Sequence, residues 1–170
     1  MSLASEHTRH VLFLCTGNSA RSILAESVLQ HLGRDQFQAH SAGSQPIDQV
    51  NPMALEVLEE AGYPHLGFRS KSWDTFASLG TPALDFVFTV CDRAANESCP
   101  LWPGHPVTIH WGLPDPAAAT GSRDEIRDAF RKTLRQLEIR IQSFLDLARS
   151  SDQSSDWKRK LQEIEFTVTS

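Results

Sequence analysis

The run Cys15-Thr16-Gly17-Asn18-Ser19-Ala20-Arg21-Ser22 puts a thiol, a permanent cation and several small turn formers side by side. An apolar, β-rich run from Arg9 to Cys15 precedes it, and a helical apolar pattern follows. A tight loop between a strand and a helix points successive backbone N–H groups inward and adds the positive end of the helix dipole. The result is a cradle for an oxyanion. Its expected lining is Thr16, Gly17, Asn18, Ser19, Ala20, Arg21 and Ser22. Arg21 would close the cradle with a planar, two-pronged contact that lysine does not copy. Gly17 and Asn18 are residue types that tolerate φ > 0. Cys15 would feel the same field, so its pKa is expected to be depressed. Ser22 is expected to donate its hydroxyl to the sulfur. No Gly-Lys-Ser/Thr follows the loop and the chain has no Gly-x-Gly-x-x-Gly, so it is not a nucleotide loop of either kind.

A thiolate that strikes a tetrahedral anion needs a proton for the oxygen that leaves. Asp115, between Pro114 and Pro116, is a candidate. A carboxyl close to a bound oxyanion holds its proton more tightly, and the two prolines stiffen the backbone on either side. The plainer alternative is a turn-forming Asp in a Pro-rich loop. The chain has three cysteines, which do not make a paired framework. Cys91 ends a second apolar run and Cys99 follows shortly after. The plainer readings are a small buried apolar residue for Cys91 and a passive thiol for Cys99.

These residues need elements to hold them. Arg9 to Cys15 and Leu84 to Val90 suit buried strands, with Phe37 to Ala42 and Val107 to Trp111 as further strands. Leu24, Val28 and Leu32 mark a helix that Gly33 stops. Asn51-Pro52 opens another that Gly62 ends. The span from Ser70 to Leu79 is ambiguous, with a short helix one reading. Ser122 and Glu125 have capping-box spacing ahead of a long stripe from Ile126 to Ala148. Ser150 to Asp156 reads as a linker, and Lys158 to Phe166 as a last amphipathic helix. Alternating strands and helices predict an α/β fold with a parallel sheet wound on both faces. Ligands in such sheets sit at the carboxyl ends of the strands, where Cys15 and Cys91 fall.

The 170 residues fit one domain, and 40% hydrophobic residues argue against wholesale disorder. A net charge of −5 argues against nucleic acid or an anionic membrane as partner, while leaving room for a small anion on a local nest of amides. No apolar run reaches the ~18 residues of a membrane helix, and the N-terminal region shows no secretory pattern. A reducing, cytoplasmic setting is expected, with the cysteines as thiols.

Val11 to Ser22 resembles the Cys-x5-Arg-Ser loop of low-molecular-weight protein tyrosine phosphatases and of the arsenate reductases with the same fold. The resemblance continues through Ser41-Ala42-Gly43, Thr89-Val90-Cys91-Asp92, Cys99-Pro100, Trp102-Pro103-Gly104 and Trp111 to Pro116. It covers roughly residues 9–148, which leaves 149–170 as a C-terminal tail. It implies a four-stranded parallel sheet with helices on both faces. It also implies Cys15 as nucleophile, Arg21 as oxyanion clamp and Asp115 as general acid.

Two activities then compete. A phosphatase releases its phosphocysteine intermediate with water and needs one thiol. A reductase must return electrons. Cys91 would attack Cys15 in its arseno-adduct, and Cys99 would export the oxidation as a Cys91–Cys99 disulfide. In thioredoxin-linked members that the chain resembles, these two cysteines stand one residue closer. The resemblance to tyrosine phosphatases would call for aromatics beside the acid, but Ala117-Ala118-Ala119 follows Asp115-Pro116 and Tyr63 is the one tyrosine. Core packing is the expected job of Trp73, Trp102 and Trp111. Arsenate reduction is therefore the leading expectation and phosphomonoester hydrolysis the alternative. A third reading is an oxyanion- or redox-responsive regulator that docks through the segment after Ser150. No tightly bound cofactor is expected, only an external thiol reductant of thioredoxin or glutaredoxin type. Asn18, Glu26 and Ser41 match positions where some reductases hold a monovalent cation. His105 and His110 do not make a persuasive metal pair.

Overall fold

The computed structural model describes residues 8–78, 81–91, 94, 102, 104–150 and 157–167, the side chains of 165–167 aside. The elements run β1 (Arg9–Cys15), α1 (Arg21–Leu32), β2 (Phe37–Gly43), α2 (Pro52–Ala61), β3 (Phe86–Thr89), β4 (Val107–His110), α3 (Arg123–Arg149) and α4 (Trp157–Thr167). Short 3₁₀ turns lie at Trp73–Phe76 and Pro116–Ala118. All pairings are parallel, in the order β2-β1-β3-β4. The strand order reverses at β1, so the crevice beyond the ends of β1 and β3 is where a ligand belongs.

β1 alternates between two buried faces, as a central parallel strand should. Val11, Phe13 and Cys15 join the larger core with α1, α2, α3 and α4, whereas Leu12 and Leu14 join a smaller cluster with Phe76, Val87 and Trp102. The expected strand from Leu84 to Val90 is trimmed to Phe86–Thr89. Its flanks still follow β1, because Asp85 N–H bonds His10 O and Val90 N–H bonds Leu14 O. The ambiguous span after Ser70 contains one 3₁₀ turn, capped by Ser72.

Local signals set most helix ends. The Asn51 side chain accepts Met53 N–H ahead of Pro52, and Gly62 closes α2 at φ 85°. Ser122 and Glu125 form the reciprocal capping box of α3. α1 differs. Its N-cap, Ala20, offers no side-chain acceptor to the first amides of the helix. Those donors are therefore left for a ligand.

The segment after residue 149 is more than a tail. In α4, Leu161 is fully buried and Trp157 meets Phe86 and Phe144 edge-on. Among the described residues, no helix is long and apolar enough to cross a membrane.

Candidate active site

The loop after β1 turns its carbonyls outward. Gln45 N–H donates to Thr16 O at 2.9 Å, Ile47 N–H to Gly17 O at 3.2 Å and Asn51 N–H to Ser19 O at 2.9 Å. The Ser70 hydroxyl also donates to Gly17 O, at 3.0 Å. None of the amides of residues 17–20 is given to a backbone carbonyl among the described residues. With the carbonyls spent on the outside, the N–H groups are left for the inside, which is how a nest for an anion is made.

Asn18 makes the turn possible, at φ 48°. A left-handed residue other than glycine costs roughly 1–2 kcal/mol. The buried Asn18 side chain offsets this, because Nδ2 donates to Ser22 Oγ (2.9 Å) and Ser41 Oγ (3.0 Å) and Oδ1 accepts Lys71 N–H (2.8 Å). Gly17 does not use the positive φ expected of it, and a Cβ there would meet nothing nearer than 3.6 Å. The glycine that the loop does require is Gly43, the register partner of Cys15. A Cβ on Gly43 would lie 2.4 Å from Thr16 O and 2.9 Å from Asn18 N and Cys15 O, all backbone atoms. Gly43→Ala is therefore expected to push the loop off the sheet and to cost about 1–3 kcal/mol. Thermal melts would show it, together with weaker protection of Cys15 from alkylation by phosphate. A melt and a protection curve like those of the parent would refute this packing.

Cys15 ends β1 and Cys91 lies just past β3, both buried and both reduced. Their thiols interact, each shifting the other's hold on its proton. Cys91 Sγ also lies 3.6 Å from Thr16 Oγ1 and accepts Ala94 N–H at 3.4 Å. Two thiols in this contact titrate as a pair. The hydrogen bond with Cys91, and then burial, push Cys15 up, against the Arg21 guanidinium and the Thr16 N–H. The hydrogen bond from Cys15 brings Cys91 down to about 5, helped by Ala94 and Thr16 and opposed by burial. In the resting pair, then, Cys91 and burial work against the depressed pKa expected for Cys15, while Arg21 and the Thr16 N–H work for it. The sequence resemblance brings Cys91 to Cys15 as the attacker of the arseno-adduct and says nothing of what the second thiol does to the Cys15 proton. The Ser22 hydroxyl, expected on the sulfur, is bonded to Asn18 instead.

Arg21 reaches across the mouth. Its Nη1 donates to Leu113 O at 2.8 Å and its Nη2 lies 3.8 Å from Asp115 Oδ2. Its Nε is buried and has no acceptor among the described residues. A buried donor in that state is costly until an acceptor arrives. Asp115 Oδ1 accepts Ala117 N–H at 3.0 Å, which caps the 3₁₀ turn and fixes the carboxyl beside Arg21. Cys15, Gly17, Ser19, Ala20, Arg21, Ile47, Asp115 and Ala117 line a cavity of about 190 Å³. Sites for drug-sized ligands run to about 300–1,000 Å³, so this one suits a small anion. Among the described residues, no aromatic side chain is in that lining. Trp111 is fully buried, and Trp73 and Trp102 pack edge-on in the smaller cluster.

Residues 10–156 match the model of the low molecular weight phosphotyrosine protein phosphatase family. The chain belongs to this family. A relative named arsenate reductase from Shouchella clausii (strain KSM-K16) is 35% identical over 136 residues, covering 80% of this chain and 94% of that protein. A Bacillus subtilis (strain 168) relative of the same name is 34% identical over 137 residues, with the same coverage. A solved arsenate reductase from Archaeoglobus fulgidus superposes with a TM-score of 0.62 at 25% identity, covering 80% of this chain and 98% of that one. Helix α4 lies beyond the residues matched to the family.

Of the family-type residues expected from sequence, Cys15, Arg21, Cys91 and Asp115 converge on one place. Cys99 lies outside the described residues, as does the polar run 92–98 except Ala94. Ile47, exposed at the rim, carried no sequence signal. Asn18, Glu26 and Ser41 do come together, but as a hydrogen-bonded network. Ser41 Oγ donates to Glu26 Oε1, and Asn18 presents its NH₂ to Ser41 while its oxygen is taken by Lys71 N–H. Burial holds the Glu26 carboxyl above its usual range, and Lys71 and Ser41 oppose that shift. Amide hydrogens and a lysine charge in these places do not fit a cation shell. The network instead braces the Asn18 turn.

Proposed function

We propose that the chain is an arsenate reductase that converts arsenate to arsenite by a thiol relay. The observation that carries this reading is a second buried thiol beside the first beneath an oxyanion cradle, with Cys91 Sγ 3.6 Å from the hydroxyl of Thr16, the residue next to Cys15. Hydrolysis by this fold uses one thiol, because water releases the intermediate. A second thiol against the first is useful when electrons must be returned. The small cavity without an aromatic wall and the relatives named arsenate reductase support the same reading.

The steps follow from the contacts. The loop amides of residues 16–22 and Arg21 hold arsenate. The shared proton passes from Cys15 to Cys91 along their hydrogen bond, which puts the charge on the attacker. Cys15 sulfur bonds to arsenic, and one arsenate oxygen leaves as water with a proton from Asp115. Cys91 attacks Cys15 Sγ, and the proton it loses goes to the departing arsenite. The S–S bond forms and the S–As bond breaks, and its electron pair stays on arsenic. Arsenic gains two electrons, each sulfur loses one, and arsenite departs. Cys99 would then take over the disulfide as Cys91–Cys99 and restore Cys15. An external dithiol of the thioredoxin or glutaredoxin class closes the cycle, which suits a reducing cytoplasm. No tightly bound cofactor is needed.

The test is arsenate-dependent oxidation of reductant, run in parallel with a thioredoxin system and with glutathione plus glutaredoxin. One arsenite should form per dithiol oxidised with at least one donor, and none with Cys15→Ser. Hydrolysis of aryl phosphates with no arsenite from either donor would assign the site to phosphomonoester chemistry instead.

A further inference from the structure

Helix α4, outside the residues matched to the family, is tied to the segment that sets the Arg21 clamp. β4 is an edge strand, and such an edge leaves alternate N–H and C=O groups unpaired. Trp111 N–H turns inward to Thr89 O, so its neighbour His110 turns both of its groups outward. Gln162 of α4 takes both, with Nε2 donating to His110 O at 2.7 Å and Oε1 accepting His110 N–H at 3.4 Å. One side-chain amide thus does the work of an added strand. Beside it, Trp111 Nε1 donates to Leu161 O at 3.0 Å. His110 Nδ1 is paired with Thr89 Oγ1 on β3 at 2.8 Å. Three residues past His110, Leu113 N–H bonds Val90 O and Leu113 O receives Arg21 Nη1.

We infer that Gln162 is a positioning residue for the oxyanion clamp. It fixes the 110–113 segment, and through the Leu113 carbonyl it fixes where the Arg21 guanidinium points. This rests on reading the cavity as an oxyanion site. When Gln162 is removed, His110 N–H and C=O lose these two bonds and the segment loosens. Arg21 then loses its fixed acceptor and is free to lean onto Asp115.

The experiment compares Gln162→Leu, which removes both bonds, with Gln162→Glu, which keeps the acceptor and loses the donor. Arsenate kcat/KM is expected to fall about three- to tenfold in both, the scale of one net hydrogen bond, with kcat falling as the clamp reading requires. In an Arg21→Lys background the same changes should have no further effect, because the contact they act through is already gone. Unchanged kcat/KM in both folded variants overturns the inference. So does an equal loss with and without Arg21, which would make Gln162 a stability residue only. Phosphate protection of Cys15 from alkylation gives an independent readout, and its half-maximal concentration should rise by the same factor. If the parent chain makes no arsenite yet phosphate protection shifts as stated, the reductase reading fails and this one stands.

Discussion

Cys91→Ala is expected to stop arsenate turnover while making Cys15 easier to ionise. Steady-state arsenite formation should fall at least about a thousandfold, the scale for deleting a group that itself makes and breaks bonds. The first bond, from Cys15 to arsenic, does not need Cys91, so arsenate still binds and still protects Cys15 from alkylation. The second effect has the opposite sign. The hydrogen bond with Cys91 is the main cause of the raised Cys15 pKa, and the variant lacks it. What remains is Arg21 and the Thr16 N–H favouring the thiolate, against burial. Alkylation of Cys15 followed against pH should therefore reach half its maximal rate at lower pH in the variant than in the parent. An unmoved profile would show that the two sulfurs do not share a proton. Undiminished arsenite formation would remove Cys91 from the reaction.

The same pair shows where sequence reading runs out. The oxyanion loop was legible because its signals are local: an apolar strand, an Asn able to turn left-handed and a helix start lie within a dozen residues. The ends of α2 and α3 were legible for the same reason, through Asn51-Pro52, Gly62 and the Ser122–Glu125 box. The consequences of crossovers were not. The parallel pairing of β1 and β3 allows Cys91 to reach Cys15 as expected, but the sequence did not show that this contact and burial push the Cys15 thiol up against Arg21. Gly43 reads from sequence as a strand end, yet its missing Cβ is what lets the loop sit on β2. Arg140 falls within the apolar span of α3 and is almost fully buried, with Nη1 on Gly112 O at 3.2 Å. Helical periodicity alone does not flag a charge there. Gln162 looks like a surface residue of an appended helix until the edge of β4 is seen beside it. Each of these depends on partners 25 or more residues away, set by register rather than by residue type.

Arg21→Lys should lower kcat/KM for arsenate by about 10²–10³-fold, or ~2.7–4 kcal/mol, the range for losing one donor aimed at developing oxyanion charge. The substitution keeps the positive charge, so Coulomb attraction to the anion is largely retained. What it removes is geometry. The guanidinium spans Leu113 O with Nη1, approaches Asp115 with Nη2 and holds Nε buried without an acceptor among the described residues. One ammonium on a flexible stem does not reach all three directions at once. If charge alone mattered, the loss would stay within a fewfold, as for an exposed ion pair worth about 0.2–1 kcal/mol. Losing a donor that stabilises the transition state lowers kcat, whereas losing uniform binding raises KM alone. The clamp reading requires the former. A loss smaller than about tenfold, or one confined to KM, would mean that Arg21 only attracts the anion and that the loop amides do the rest.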